Sequence, residues 1–224
     1  MKFTGGPLDR AGNYREKKDW QLGAQSNDAA RFMPVWNQLV LLEDIGEELI
    51  ALTLKADHPA VKNYRTDEMI FLGVQEETPY FVLDLSKRDQ SELCSVSDCH
   101  LHKFTDLRLA MPLLRHEDAA LAAYAKGMVR WHQHNLFCGI CGSKTIFMNA
   151  GHMRKCANVA CCHQLFPRTD PVVIMLVEIK DYNGNRFCLL GIHRQSPKGR
   201  YSTLSGFVDP AESLEEAVAR EVIE

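Results

Sequence analysis

Two stretches of this sequence carry residues whose types and spacing suit metal ions. The first holds four cysteines in the pattern C-x2-C-x14-C-x4-C, and the second is an acidic segment over the last nineteen residues, 206–224. Thiolates bind borderline cations such as Zn²⁺, whereas carboxylate oxygens bind hard cations such as Mg²⁺ and Mn²⁺. The sequence therefore predicts two metal sites of different chemistry.

The four cysteines predict a structural zinc site. Two thiolate pairs on opposed turns can close a tetrahedral site, and four protein ligands leave no open position for catalysis. Because such a ribbon has almost no hydrophobic core, the metal supplies much of its folding energy. Cys162 and His163 are ligands by type, but a wider second turn ending at Cys161 leaves Cys162 free. The predicted ligands are Cys138, Cys141, Cys156 and Cys161.

The remaining thiols have plainer interpretations. Cys188 lies inside a predicted strand and is interpreted as a small buried hydrophobic residue. The start of the sequence lacks the apolar core of a secretory signal, so we expect reduced thiols rather than disulfides. The stretch CSVSDCHLH offers more metal donors, but its spacing matches no site, and surface loop residues are expected. Those donors are Cys94, Cys99, His100 and His102.

The acidic segment, GFVDPAESLEEAVAREVIE, predicts a helix. Ser213 and Glu216 have the spacing of a capping box, so a helix should begin at Leu214. Three carboxylates on or beside this helix could gather around one point and hold Mg²⁺ or Mn²⁺. On carboxylate count alone, an ordinary solvated acidic face is the better explanation. The three carboxylates are Glu212, Glu221 and Glu224.

The elements that must position these residues indicate an α+β fold in three zones. Residues 1–125 form an N-terminal domain with a mostly antiparallel sheet, and residues 126–168 hold the end of a helix and the zinc ribbon. Residues 169–224 begin another domain. The β-like runs of the first zone lie at 35–42, 48–55, 69–75 and 80–85.

One long helix and one hairpin complete the prediction. Apolar residues recur every three or four positions from Asp118, which predicts a helix over 117–134. The nearly continuous apolar run 170–179 predicts a strand buried on both faces. Asn183-Gly184 then marks a hairpin turn into a second strand, 186–194.

Composition excludes some classes of function. The formal charge of −3 over 224 residues gives no broad basic field for gripping nucleic acid. No apolar run approaches the roughly 20 residues that span a bilayer. A cytoplasmic protein is the default expectation.

The spacing of the acidic segment changes the interpretation of its carboxylates. Gly206, Glu212 and the run 220–224 resemble the Nudix box, Gly-x5-Glu-x7-Arg-Glu-U-x-Glu-Glu-x-Gly-U, where U is a bulky aliphatic residue. Every defined position that is present matches, whereas Ala211 stands where glycine is common in the loop. The sequence stops one residue before the second glutamate of the pair, so we expect a fragment or a truncated product.

The cysteines indicate one branch of this family. A four-cysteine ribbon directly before the box is similar to the NADH pyrophosphatase branch of the Nudix hydrolases. Phrases such as WHQHNLFCGICG, LFPRTDPVVIMLV and FLGVQEETPYFVLDLS also look like that branch. The resemblance covers about 35–224 and implies that residues 169–224 are the first part of a Nudix αβα sandwich.

The resemblance implies an activity and a set of site residues. It implies metal-dependent hydrolysis of NAD(H) to AMP and nicotinamide mononucleotide, removal of NAD caps from RNA 5′ ends, and a homodimer. Glu221 and Glu224 match metal ligands of the family for Mg²⁺ or Mn²⁺. The implied catalytic residues also include Arg220, Glu212 and Gly206, and the implied substrate contacts are Ser205, Phe166 and Arg108. Gly206 is expected to let the loop turn tightly beside the metal site.

Several alternatives stay open at this point. The chain could be a catalytically impaired, truncated zinc-ribbon module that binds nucleotides or RNA ends. It could also be a Nudix hydrolase of another dinucleotide, such as ADP-ribose or FAD. Simple core packing explains Phe166 equally well, and a surface ion pair explains Arg108 equally well.

Overall fold

The protein divides into two compact units. The structure is a computed structural model that describes residues 3–64, 68–96, 101–192 and 197–224. The first unit ends at Pro167 and the second spans Arg168–Glu224. Within the predicted metal-donor stretch, Cys99 and His100 lie outside the described residues. The three-zone division, with boundaries after residues 125 and 168, stays a prediction.

A mostly antiparallel sheet forms the centre of the first unit, as predicted. Its strands run in the order β3-β2-β1-β6-β5, with β4 paired to β1 and β7 paired to β2. The β1–β6 pair is parallel, and the other described pairs are antiparallel. The strands are β1 (Arg31–Trp36), β2 (Leu39–Asp44), β3 (Leu49–Ala51), β4 (Leu54–Lys55), β5 (Ile70–Gln75), β6 (Thr78–Asp84) and β7 (His102–Thr105).

The prediction of one strand over 35–42 is wrong, because the chain reverses inside it. Asn37 and Gln38 have φ values of 47° and 67°, and Trp36 pairs with Leu39 across the turn. Two successive residues with positive φ form the two-residue turn that matches strand twist. Because apolar residues lie on both sides of the turn, the hydrophobic pattern of the sequence does not reveal it.

Helices cover both faces of this sheet. In β5, Ile70 and Leu72 join the core cluster that contains the long helix, whereas Phe71 joins the cluster on the other face. This alternation is the period of two that a strand imposes. The long helix α4 spans His116–His134 and confirms the predicted helix. The others are α1 (Lys18–Gln25), α2 (Pro59–Tyr64) and α3 (Leu107–Ala110).

A small ribbon follows α4 and closes the first unit. It is a three-stranded sheet, in the order β10-β9-β8, of β8 (Thr145–Met148), β9 (Met153–Cys156) and β10 (Gln164–Leu165). A buried polar network joins it to α4. Arg154, only 6% exposed, donates to Thr145 Oγ1 at 2.7 Å and to His132 Nδ1 at 2.9 Å. Because arginine only donates, His132 Nε2 carries the hydrogen and donates to the Gly151 carbonyl at 2.8 Å.

Over its described residues, 168–192 and 197–224, the second unit contains two small strand pairs and one helix. They are β11 (Val172–Met175) with β14 (Leu204–Phe207), β12 (Glu178–Lys180) with β13 (Arg186–Cys188), and α5 (Leu214–Ile223). On one face of β11, Val173 and Met175 pack with Ala217 of α5. These elements agree with an α+β fold, and the αβα sandwich of this unit stays a prediction.

Two predictions for the second unit are wrong. The apolar run 170–179 divides into β11 and β12, and it is not buried on both faces, since Ile174 is 71% exposed. Cys188 is exposed, because every residue of β12 and β13 is exposed in this two-stranded ribbon. The predicted hairpin is present, with Lys180 opposite Arg186. Of the second predicted strand, residues 193 and 194 lie outside the described part of the chain.

Burial of His132 predicts a pH-dependent stability. Burial lowers the pKa of His132 and of His152 to about 4. The unfolded chain therefore binds more protons between about pH 6.5 and pH 4, and stability falls as the pH falls through that window. From pH 7 to pH 5, each histidine should account for about 2 kcal/mol of lost unfolding free energy.

His132→Gln isolates one of these contributions. A glutamine amide can accept from Arg154 and donate to Gly151, but it does not titrate. In urea unfolding at pH 7 and pH 5, the variant should lose about 2 kcal/mol less than the unaltered protein. Acid loss of a bound metal affects both proteins alike and cancels in this difference. Equal losses in the two proteins would show that His132 is not held neutral.

Candidate metal sites and the acidic helix

Four cysteines converge at one end of the ribbon. The Sγ atoms of Cys138, Cys141, Cys156 and Cys161 all lie within 4.8 Å of one another. Cys138 and Cys161 are 3.8 Å apart at sulfur, and Cys141 and Cys156 are 3.4 Å apart. Four sulfurs placed about 2.3 Å from a tetrahedral zinc lie just under 4 Å apart. The donor set therefore fits a metal ion such as zinc, as the sequence predicts.

The two cysteine turns are built alike. The residue after the second cysteine of each pair adopts a left-handed conformation: Gly142 with a φ of 73° and Cys162 with a φ of 50°. The amide of Gly142 donates to the Cys138 carbonyl at 2.8 Å, and the amide of Cys162 donates to the Asn158 carbonyl at 2.9 Å. Cys162 thus occupies the turn position that glycine has in the first pair, and it stays outside the sulfur cluster.

The protein environment shifts the pKa values of two of these thiols in opposite directions. Hydrogen bonds from Ser143 lower the pKa of Cys141 to about 6. Burial raises the pKa of Cys156 to about 12. A metal ion requires thiolates, so binding must release the proton of Cys156. Among the described residues, these four cysteines form the one group of three or more His, Cys, Asp or Glu side chains that could hold a metal ion together.

The predicted capping box is present at the start of α5. Ser213 Oγ accepts from the Glu216 amide at 3.2 Å, and Glu216 Oε2 accepts from the Ser213 amide at 2.8 Å. These reciprocal bonds satisfy two backbone donors that a helix start leaves without partners. The helix begins at Leu214, as predicted.

Arg220 joins the carboxylates around α5. Its Nε and Nη2 donate to the two oxygens of Glu212 at 2.9 and 3.0 Å, a bidentate pair. Its Nη1 donates to Glu221 at 2.8 Å and to Glu224 at 3.3 Å. These bonds raise the pKa of Arg220, with Glu212 as the largest cause, and hold the pKa of Glu212 below its usual value.

The bonding separates the three glutamates into two roles. Both oxygens of Glu212 are bound by Arg220, and one also accepts from the Asp209 amide at 2.9 Å. Within the described chain, the three glutamates do not form a three-ligand cluster. Glu221 and Glu224 share one nitrogen of Arg220, which leaves their other oxygens available for a cation.

Gly206 serves a different purpose from the tight turn that the sequence suggested. It lies inside β14, opposite Val173, rather than in a loop. A Cβ atom on Gly206 would collide with the Glu221 carboxylate. The glycine is therefore needed for the close approach of that carboxylate. The tight turn lies further along, where Ala211 has a φ of 66°.

The structure places the three predicted substrate contacts on exposed surfaces. Ser205 is exposed in β14, and Arg108 is exposed in α3. Phe166 is 53% exposed just after β10, so core packing does not explain it. No described carboxylate forms an ion pair with Arg108, whereas the nearby Asp106 pairs with Lys126 at 3.3 Å. Their role in substrate binding stays a prediction.

Sequence reasoning missed one partner of Arg220. The Phe207 carbonyl accepts from Arg220 Nη2 at 2.8 Å and so ties α5 to the end of β14. Every residue except proline has the same backbone groups, so residue type gives no signal for such a contact.

Similarity to known proteins extends over both units. Residues 29–131 match a family model described as the NADH pyrophosphatase-like rudimentary NUDIX domain. Nudix hydrolase 19, chloroplastic, of Arabidopsis thaliana is 38% identical over 70% of this chain and 36% of its own length. Human NAD-capped RNA hydrolase NUDT12 is 30% identical over 97% of this chain and 54% of its own. Human NAD(P)H pyrophosphatase NUDT13, mitochondrial, is 36% identical over 71% of this chain and 46% of its own length.

These matches confirm the resemblance that the sequence predicts. The chain is related to the Nudix hydrolases, and within them to the NADH pyrophosphatase branch. It spans about half the length, or less, of the three relatives named. Two of those names specify a chloroplast or a mitochondrion, so the cytoplasmic location stays a prediction. In the described residues, no helix is long and apolar enough to cross a membrane.

The sulfur geometry predicts which thiols hold the metal. Cys161→Ser should remove a ligand and lower the zinc content well below one ion per chain, whereas Cys162→Ser should leave the content unchanged. Atomic emission on protein purified without added chelator measures both. Loss of zinc in the Cys162 variant, with retention in the Cys161 variant, would reverse the assignment.

The contact between Gly206 and Glu221 predicts a cost for any side chain at that position. Gly206→Ala should push the Glu221 carboxylate away from Arg220 and lower the unfolding free energy by about 1 kcal/mol, because the glutamate can swing aside. Ser205→Ala, one residue earlier on the exposed face, should change it by less than about 0.5 kcal/mol. Urea unfolding compares the two. Equal effects would mean that β14 does not require glycine here.

Proposed function

We propose that the protein hydrolyses the pyrophosphate bond of NAD(H), with water as the second substrate and NMN(H) and AMP as products. The relatives named above include an NAD(P)H pyrophosphatase and an NAD-capped RNA hydrolase. The observation that carries the proposal is the arrangement at α5, where Arg220 fixes Glu212 and presents Glu221 and Glu224 side by side.

The chemistry sets what this arrangement must do. Water attacks one phosphorus atom, the bridging P–O bond breaks, and the leaving mononucleotide departs with the bridging oxygen. Two negatively charged phosphates repel such a nucleophile. When bound, Mg²⁺ or Mn²⁺ neutralises this charge and orients the attacking water. Magnesium sites commonly use one or two carboxylates together with substrate phosphate oxygens, so Glu221 and Glu224 are a sufficient protein contribution.

The remaining residues position this pair. Glu212 holds one edge of the Arg220 guanidinium, through Nε and Nη2, and Arg220 in turn limits where Glu221 and Glu224 can move. Gly206 leaves the space that the Glu221 carboxylate fills. We further propose that Ser205 contacts substrate through its backbone, that Phe166 stacks on a base, and that Arg108 contacts a phosphate. Zinc in the cysteine cluster is structural in this proposal, because four protein sulfurs complete its coordination.

Removal of NAD caps from RNA is the second candidate reaction. Human NUDT12 bears the name NAD-capped RNA hydrolase, and cap removal cleaves the same pyrophosphate bond. Both candidate substrates would present the same charged pyrophosphate bond to the residues of α5. A homodimer is also part of the proposal, as the resemblance implies.

Glu221→Gln tests the proposal in the longest natural chain that contains this sequence. With NADH and Mn²⁺, the unaltered protein should release AMP, measured by liquid chromatography. The variant should be slower by on the order of 100-fold or more, because it loses a charged metal ligand. Its zinc content should not change.

Glu215→Gln is the matched control, with the same change of charge on the same helix. It should keep the rate within about twofold, since Glu215 lies in the first turn, away from Arg220. Parallel assays with ADP-ribose, FAD and NAD-capped RNA rank the substrates. A folded, zinc-loaded protein that releases no AMP with either Mg²⁺ or Mn²⁺ would refute the proposal.

A further inference from the structure

The first unit has an open groove, and none of its lining residues belongs to the cysteine cluster or to the site around α5. One wall is α1 with the segment before it, and the other is the end of β8 with the turn that follows. Its volume is about 770 Å³. Binding sites for small molecules occupy roughly 300–1,000 Å³, so the groove is large enough for a nucleotide. The residues used below are Arg15, Glu16, Lys18, Leu22, Glu68 and Phe147.

Positive charge is concentrated on the first wall. The segment 10–18 carries four cationic side chains and one carboxylate. Two of the cations lie over aromatic rings: Arg10 is 3.5 Å from the centre of the Tyr124 ring, and Lys17 is 5.3 Å from that of Tyr14. Arg15 and Lys18 instead line the groove, and neither forms an ion pair with a described residue.

The Arg15 side chain also has an unused donor. Its Nε is buried and has no hydrogen-bond partner among the described residues, while its Nη2 donates to the Arg10 carbonyl at 3.3 Å. Arginine binds phosphate oxygens through a planar fork of N–H groups. A small turn of the guanidinium toward a phosphate in the groove would give Nε an acceptor.

The rest of the lining, from both walls and from Glu68, offers different chemistry. Phe147, half-buried, and Leu22, 58% exposed, give apolar surface on which a flat ring can lie. Glu68 is exposed at the groove and can accept hydrogen bonds from hydroxyl or amino groups, whereas Glu16 already accepts one from Asn149 at 3.3 Å. Two cations at and just before the start of α1, together with apolar surface and an acceptor, complement a ligand with a phosphate at one end and a base and sugar at the other.

We propose that this groove binds a nucleoside monophosphate, with its phosphate against Arg15 and Lys18, its base on Phe147 and Leu22, and Glu68 as an acceptor for the sugar or base. The proposed hydrolysis releases two mononucleotides, so the physiological meaning of the groove, as a sensor of product, depends on the proposed function. Binding itself does not depend on it.

Titration calorimetry with AMP tests the groove in the zinc-loaded protein, without Mg²⁺ or Mn²⁺. The double variant Arg15→Gln and Lys18→Gln should raise the Kd for AMP at least tenfold. Lys17→Gln is the matched control, because it removes one charge from the same segment at a side chain that lies over Tyr14; its Kd should stay within twofold. Inorganic phosphate should bind more weakly than AMP, since it lacks the base and sugar.

Photolabelling with 8-azido-AMP provides a second measurement if the double variant does not fold. Peptide mapping should locate the label within residues 15–25 or 147–150. Label confined to residues 168–224, no AMP binding, or an unchanged Kd in a folded double variant would overturn the proposal.

Different results would refute the proposed function and the proposed nucleotide groove. NADH hydrolysis at low product concentration should be unaffected by the double variant, because neither residue belongs to the site around α5. Lost AMP binding with retained hydrolysis supports the groove. Hydrolysis that fails in the unaltered protein, with AMP binding intact, would refute the proposed function and leave the groove in place.

Discussion

The site around α5 depends on one guanidinium group. Arg220 donates to three carboxylates and to the Phe207 carbonyl, so it fixes the loop before the helix, the helix itself and the end of β14 at once. Without it, three negative charges would stand close together and repel one another. Because it is planar and keeps its charge, arginine can satisfy several acceptors in fixed directions, which the single ammonium group of lysine cannot do. The geometry proposed for catalysis follows from this constraint.

A small number of polar contacts also holds the ribbon together. It has little apolar core of its own, and the tips of its two cysteine turns are apolar and exposed, with Ile140 at 69% and Val159 at 89%. Its order comes from four sulfurs suited to one metal ion and from the buried arginine and histidine that join it to α4. A buried, charged Arg154 is costly unless its donors are satisfied, and Thr145 and His132 satisfy them. Polar contacts, and a metal ion when one is bound, thus replace hydrophobic burial in the ribbon.

Residue type and spacing predicted the parts of the molecule that local chemistry determines. The convergence of the four cysteines, the capping box and α4 follow from nearby residues, and the structure confirms all three. Spacing could not predict backbone conformations that only tertiary contacts select. The reversal at Asn37-Gln38 lies within an apolar run, and Gly206 looks like a turn residue until Glu221 is seen to fill its space. Cys188 shows the same limit, because burial depends on what covers a strand and not on its own pattern.

If the carboxylates of α5 hold a divalent cation, manganese binding can be measured without any catalysis. Electron paramagnetic resonance counts free Mn²⁺ during a titration of the zinc-loaded protein. We expect one Mn²⁺ site per chain that disappears when Glu221 and Glu224 are both changed to glutamine, while the zinc content stays constant. An unchanged Mn²⁺ titration in that double variant would contradict this assignment, because the cation would then be bound elsewhere.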